Sequence, residues 1–171
     1  MKTVTLPLAL QPPNPTVPLR AVHLTDAESL RTYCWPNRSL ITVHNLIKRA
    51  HRNQKDRRGL GLVLIDQHDR ALGYGQFTVW PTCAEISDLV IAEPLRGHGL
   101  GTTLIQALVQ QAGHYGKTTF EIGVEVANTR AAKLYKHLGF VYSHSITVDM
   151  DHKPSKVLFM RLEHPVSQSL S

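Results

Sequence analysis

Arg96-Gly97-His98-Gly99-Leu100-Gly101 sets three glycines within five residues. Directly after them Leu104, Ile105, Leu108, Val109 and Ala112 continue from Leu100 at helical spacing, so the glycine turn opens a helix over Thr102 to Ala112. Glycines let backbone N–H groups converge without interference from Cβ, and a helix start adds unpaired donors and the positive end of a dipole. The chemistry of such a turn is anion binding. Phosphate or pyrophosphate is its natural guest, with Arg96 as the adjacent charge, and a plain strand-to-helix turn capped by water is the alternative. Two nucleotide fingerprints fail against these residues. A P-loop needs Lys and then Ser or Thr after its last glycine, where this chain has Thr102-Thr103, and a dinucleotide turn needs a third Gly or Ala where Thr102 or Leu104 stands.

Arg96, Gly99 and Gly101 after a strand resemble the pyrophosphate loop, R/Q-x-x-G-x-G/A, of the GNAT superfamily of N-acetyltransferases. The run Asn128-Thr129-Arg130-Ala131-Ala132-Lys133-Leu134-Tyr135-Lys136-His137-Leu138-Gly139-Phe140 resembles that family's second signature, with its Asn, Ala, Tyr and closing Gly-Phe. The likeness covers roughly residues 20 to 162 and is sharpest between 85 and 140. It implies acetyl-CoA as cosubstrate, held by Leu89, Val90 and Ile91 at a strand end, by Arg96, Gly97, His98, Gly99, Leu100, Gly101 and Thr102 in the turn, and by Asn128 and Tyr135. It also implies that the strands ending near Ile91 and Val126 splay apart to admit the pantetheine arm.

Acetyl transfer to an amine needs an uncharged amine, a polarised carbonyl and a stabilised leaving thiolate. An alkyl amine of pKa about 10 must first lose a proton at neutral pH, and a carboxylate can take it, directly or through water. Glu85 matches the position where several family members keep a general-base glutamate and is the first choice. Asp88 is its rival, and an ordinary solvated carboxylate is the alternative for Glu85. A backbone N–H at Leu89 or a neighbour, freed by a bulge, would hold the thioester carbonyl. Tyr135 matches the family tyrosine that serves the leaving thiolate, a donation costing about 2 kcal/mol from reference pKa values. Spacing alone would make it a core aromatic. Asn128 would bond the pantetheine amides or simply cap a helix.

The ten histidines contain no H-E-x-x-H or other close pair, so a metal is not expected. Cys34 and Cys83 form no C-x-x-C unit, and Cys83 reads as a small core residue rather than a nucleophile.

Around these motifs the order of elements is strand, two helices, three strands, helix, strand, helix, two strands. That is an α/β (α+β) domain, which the resemblance makes a single GNAT-like unit with a central mixed, mostly antiparallel sheet flanked by helices. Residues 1–18, with half of the ten prolines, are expected to be an extended tail, residues 19–163 the transferase domain and residues 164–171 a frayed end. Thr25 and Glu28 suggest a capping box. The parity of Cys83 to Ile91 is imperfect, as for a central strand with a bulge. The last hairpin is expected to turn over Asp151 to Ser155.

A chain of 171 residues, 42% hydrophobic, suffices for one buried core. No run reaches membrane-spanning length, no signal peptide is expected, and two unpaired cysteines fit a reducing cytoplasm. The net charge of +6 fits an anionic cofactor, a membrane surface or nucleic acid. The basic run Lys48 to Arg58 has no interleaved aromatics, which speaks against a stacking platform for single strands and for a solvated helix end. Charge alone does not choose among these; the resemblance implies acetyl-CoA and a small-molecule or peptide amine as partners, with a homodimer open. Two readings compete with a transferase: a non-catalytic acetyl-CoA sensor of the same fold and a basic nucleic-acid binder.

Overall fold

The computed structural model describes residues 7–14 and 16–164. Its elements are β1 (Leu19–Ala21), α1 (Ala27–Tyr33), α2 (Leu40–Lys55), β2 (Gly59–Ile65), β3 (Ala71–Val79), β4 (Ala84–Ile91), α3 (Leu100–His114), β5 (Thr119–Glu125), α4 (Thr129–Leu138), β6 (Val141–Met150) and β7 (Lys153–Glu163). The strands form one seven-stranded sheet in the order β1-β2-β3-β4-β5-β7-β6. Every pairing is antiparallel except β4 with β5.

The apolar periods of the helices decide what covers each face. Leu104, Ile105, Leu108 and Ala112 of α3 pack with Phe77, Ile86, Phe120, Ile122 and Met160 on one side of the sheet. Val43, Leu46, Ile47 and Ala50 of α2 pack with Leu30, Val63 and Tyr74 on the other. β2 lies between α2 and α3 and is buried along nearly its whole length, which explains why it reads as a continuous apolar run. β6, at the free edge, is mostly exposed. Among the described residues no helix is long and apolar enough to cross a membrane.

Three local expectations are corrected. Leu8–Leu10 is not extended but forms one 3-10 turn; Ala9 is buried, and the Leu8 carbonyl accepts a 2.7 Å hydrogen bond from Gln106 Nε2 of α3. The capping box uses other residues: the amide of His23 donates to the Asp26 carboxylate at 2.7 Å, and Arg20 grips the same carboxylate from β1. The last hairpin turns on Asp151-His152 alone, both at positive φ, so Pro154 lies inside β7 opposite Asp149. Pro154 is tolerated there because β5 pairs with β7 only from Val157 onward, leaving one side of the strand without a ladder to interrupt. At the other end the His164 amide donates to the Thr118 carbonyl at 2.7 Å. The remaining tail residues, 1–6, 15 and 165–171, lie outside the described part.

Candidate active site

The site begins at an irregularity in β4. Gln76 pairs with Ser87 and Tyr74 with Val90, so Asp88 and Leu89 together oppose the single residue Gly75. Asp88 takes φ +55, outside the range of a regular strand. A Cβ on Gly75 would come within 2.7 Å of Leu89 Cδ2 and 2.8 Å of Leu108 Cδ1, so glycine there lets the bulge seat against α3.

The bulge turns two successive polar side chains to the face shared with Tyr74, against α1 and α2. Gln76, itself buried, donates from Nε2 to Asp88 Oδ2 at 2.8 Å and to Ser87 Oγ at 3.3 Å. Its Oε1 accepts the Tyr74 hydroxyl at 2.7 Å. Trp35, after α1, meets the Tyr74 ring edge-on at 5.6 Å.

Beyond the bulge β4 and β5 part. Their pairing is confined to Ala84, Glu85 and Ile86 against Phe120, Glu121 and Ile122. A slot of about 330 Å³ opens between the diverging ends, its lining including Ser87, Asp88, Leu89, Gly123, Glu125, Asn128 and Tyr135. A second cavity, of about 470 Å³, lies between the end of β4, the glycine turn and the starts of α3 and α4. Both are lined by Leu89, Asn128 and Tyr135, so the two spaces meet there.

The glycine turn carries the backbone its sequence demands. Gly97 and Gly99 hold φ of +82 and +77, and a Cβ on Gly99 would meet nothing within 4 Å, so the backbone there stands open to a guest. Arg96 Nε donates to the Ile91 carbonyl at 3.0 Å, which ties the turn to the strand end.

The expected site residues divide. Leu89, Val90, Ile91, Arg96, Gly97, Gly99, Leu100, Gly101, Thr102, Asn128 and Tyr135 all line the larger cavity. His98 does not; its ring turns back to the Leu95 carbonyl at 3.2 Å. Glu85 lines neither space. It lies where β4 and β5 are still paired, and its Oε2 accepts the Trp80 indole N–H at 2.8 Å. Asp88, three residues on, is about 10 Å further along the strand at ordinary strand rise and borders the slot.

Asn128 Oδ1 caps α4 by accepting from the Ala131 amide at 3.1 Å while the residue lines both cavities. Tyr135 is 7% exposed, and burial pushes its hydroxyl up to about 12, so it stays protonated at any physiological pH.

Arg130 is the residue that sequence reasoning missed. It lines the larger cavity, and its guanidinium lies 3.7 Å from where a Cβ on Gly97 would be. A signal was available: the first turn of α4 has no acid, and a cation there opposes the helix dipole unless an anion sits beside it.

The Acetyltransferase (GNAT) family model matches residues 24–140. An uncharacterized N-acetyltransferase of Methanocaldococcus jannaschii is 39% identical over 57 residues, 33% of this chain, which spans only 25% of that relative. In structure the chain is similar to a variant of the spermidine N-acetyltransferase of Vibrio cholerae, with TM-score 0.72 and 20% identity over 88% of this chain and 95% of that one. It is also similar to yncA, a putative acetyltransferase from Salmonella typhimurium solved with acetyl-CoA, with TM-score 0.69 and 21% identity over 86% and 94% of the two chains. At these identities the two structures speak for the fold alone. With the matched model spanning both signatures, the glycine turn and the α4 segment, the chain belongs to the acetyltransferase (GNAT) family.

Proposed function

We propose that the protein is an acetyl-CoA-dependent N-acetyltransferase in which an amine attacks the thioester directly. The observation that carries this reading is the junction at Leu89, Asn128 and Tyr135, where a cavity suited to a phosphate-bearing cofactor meets a slot bordered by a carboxylate. The cofactor supplies an acetyl group activated as a thioester.

The open backbone at Gly99 and the cations Arg96 and Arg130 fit a pyrophosphate. Asn128 spends its Oδ1 on the helix cap, which leaves its NH2 group to hydrogen-bond an amide carbonyl. At the bulge the broken ladder makes a backbone N–H at Leu89 or Val90 the donor for the thioester carbonyl.

Asp88 takes the proton of the incoming amine, with Gln76 fixing one carboxylate oxygen and leaving the other for the amine or a bridging water. Glu85 is second in line, because Trp80 already engages it at the closed part of the sheet. Tyr135 stands at the junction as a donor to the departing sulfur. Full transfer from a hydroxyl of pKa about 12 to a thiolate of conjugate pKa about 8.5 would cost about 5 kcal/mol, so its role is a hydrogen bond rather than a completed proton transfer.

The test is a panel of amines and peptides with acetyl-CoA, following released thiol. Turnover with at least one amine, lost on removing acetyl-CoA, is expected; thiol release that is the same with and without every amine would overturn the reading.

A further inference from the structure

The helix layer of α1 and α2 ends at β4. The core beneath it draws Val63, Ala71, Tyr74 and Val90 from β2, β3 and β4 and, among the described residues, nothing from β5, β6 or β7. Strand alternation still puts apolar side chains on that uncovered face. Along β7, Leu158, Met160 and Leu162 go to the α3 core, so Val157 and Phe159 go to the opposite side. Both are half-buried and belong to neither core. Across from them on β6 are Ile146, 43% exposed, and His144. Apolar residues left over near a sheet edge are the ordinary reading of such a strip. Two observations tie this one to the slot.

The first is Gly123, which lines the slot. Val157 Cγ1 at 3.3 Å and Phe159 Cε1 and Cζ at 3.4 and 3.5 Å surround the place a Cβ would take there, so the missing side chain is what lets the Phe159 ring reach the edge of the slot. From the β6 side the His144 ring stacks on Phe159 at 4.9 Å with the planes 1° apart, which holds the ring in that position. The second is charge. Among the described residues the lining of the slot includes the carboxylates Asp88 and Glu125 and no Lys, Arg or His, which suits a cationic head and opposes an anionic one.

We infer that the acceptor is a primary amine carrying an apolar, ring-sized group, with the nitrogen at Asp88 and the group seated on Phe159 and Val157. This rests on the reading of the slot as the place of acetyl transfer. With β5 between them, Asp88 and Phe159 start about 10 Å apart at ordinary sheet spacing, and the two side chains shorten that to the reach of about two or three carbons. An apolar wall with a few convergent polar groups is the usual make-up of a small-molecule site. A polyamine would satisfy the carboxylates and leave the apolar strip in water. A free arylalkylamine and a peptide beginning with phenylalanine share the required chemistry, the second being the first substituted beside its nitrogen.

The probes are therefore two matched pairs, 2-phenylethylamine with ethylamine and Phe-Ala-Ala with Ala-Ala-Ala, with spermidine as a control. Two readouts are taken: thiol release with acetyl-CoA, and calorimetric binding of each amine in the presence of CoA. At least one ring-bearing probe should exceed its match about tenfold in kcat/KM and in affinity, and which pair shows the larger ratio separates the two sources. Phe159→Ser should bring that ratio close to one, and Phe159→Leu should keep part of it. Val157→Thr, which retains a good strand former, should cut it several-fold and decides the matter if Phe159→Ser does not fold.

Ratios near one in both pairs would overturn the inference, as would spermidine as the best substrate or a ring preference untouched by the Phe159 and Val157 variants. So would a dimer that Ile146→Ser dissociates in sedimentation, with no ring preference in either form, because the strip would then seat a second copy. If no amine releases thiol but a ring-bearing probe binds with a Phe159-dependent preference, the inference stands and the transferase reading falls. If amines are acetylated without regard to the ring, the transferase reading stands and the inference falls. If neither transfer nor preferential binding is seen, both fall.

Discussion

The two flanks of β4 are built from different material. Toward α3 and α4 the glycine turn offers backbone groups, fixed by φ values at Gly97 and Gly99 and supplied by a contiguous stretch of chain. Toward α1 and α2 the working groups are side chains from separate elements: Trp35 after α1, Tyr74 and Gln76 on β3, Ser87 and Asp88 on β4. The first kind of site survives most changes of side chain, because its chemistry is that of the peptide bond. The second is lost or redirected by single substitutions. Damage around the Ser87–Asp88 bulge should therefore appear in turnover and damage to the glycine turn in cofactor affinity, while Tyr135 of α4, at the junction of the two spaces, answers to turnover.

The largest expected effect is at Asp88. Asp88→Asn should lower turnover about 10²-fold or more near neutral pH, with the deficit shrinking as pH rises toward the amine pKa of about 10, while CoA affinity stays within about twofold. Glu85→Gln should cost less than about tenfold. The reverse ranking would move the proton acceptor to the closed part of the sheet. Tyr135 comes next and tests the junction. With a hydrogen bond as its role, Tyr135→Phe should reduce turnover by roughly 10- to 100-fold with unchanged acetyl-CoA affinity. A loss of about 1 kcal/mol in unfolding free energy with turnover intact would make it a core residue only.

On the backbone side, Gly99→Val should raise the acetyl-CoA Kd by more than about tenfold in a protein that still melts cooperatively, because φ +77 and the open approach are both spoiled. Arg130→Ala should weaken CoA several-fold and leave turnover at saturating cofactor unchanged. Equal damage to turnover and affinity from either variant would blur the division between the flanks.

The smallest effect lies away from both. Burial works against the Asp26 charge, but the Arg20 guanidinium and the His23 amide more than offset it, so the carboxyl sits below its ordinary value. A folded pKa below the unfolded one gives stability that is present above the unfolded value of about 3.9 and is lost as pH falls through the folded one. Asp26→Asn should flatten that acid limb of the melting curve without altering transfer.

What could be read from the sequence follows the same division. The glycine turn, the α4 signature and the order of elements are local or periodic and come through intact. The mixed parity of β4 also announces an irregularity, but not which carboxylate it presents. That depends on Asp88 adopting φ +55 opposite Gly75, a pairing between strands that no stretch of β4 encodes by itself. Gln76 and Tyr74 read as ordinary members of a buried strand, because, apart from the bond between them, their meaning comes from Trp35, Ser87 and Asp88, eleven or more residues away. The turn at Leu8–Leu10 was hidden by flanking prolines that break any period, although three consecutive apolar residues do find a core to join.

The meeting of two separately bordered spaces at Leu89, Asn128 and Tyr135 also bears on the order of events in turnover. A cofactor entering past the glycine turn and an amine entering past Asp88 need not cross each other's path. Neither has to leave for the other to bind. Initial rates measured against both substrates should then give intersecting rather than parallel reciprocal plots, and either product should be free to depart first. For the same reason a single molecule spanning the junction, CoA joined through its sulfur to an acceptor, should compete with both substrates at once.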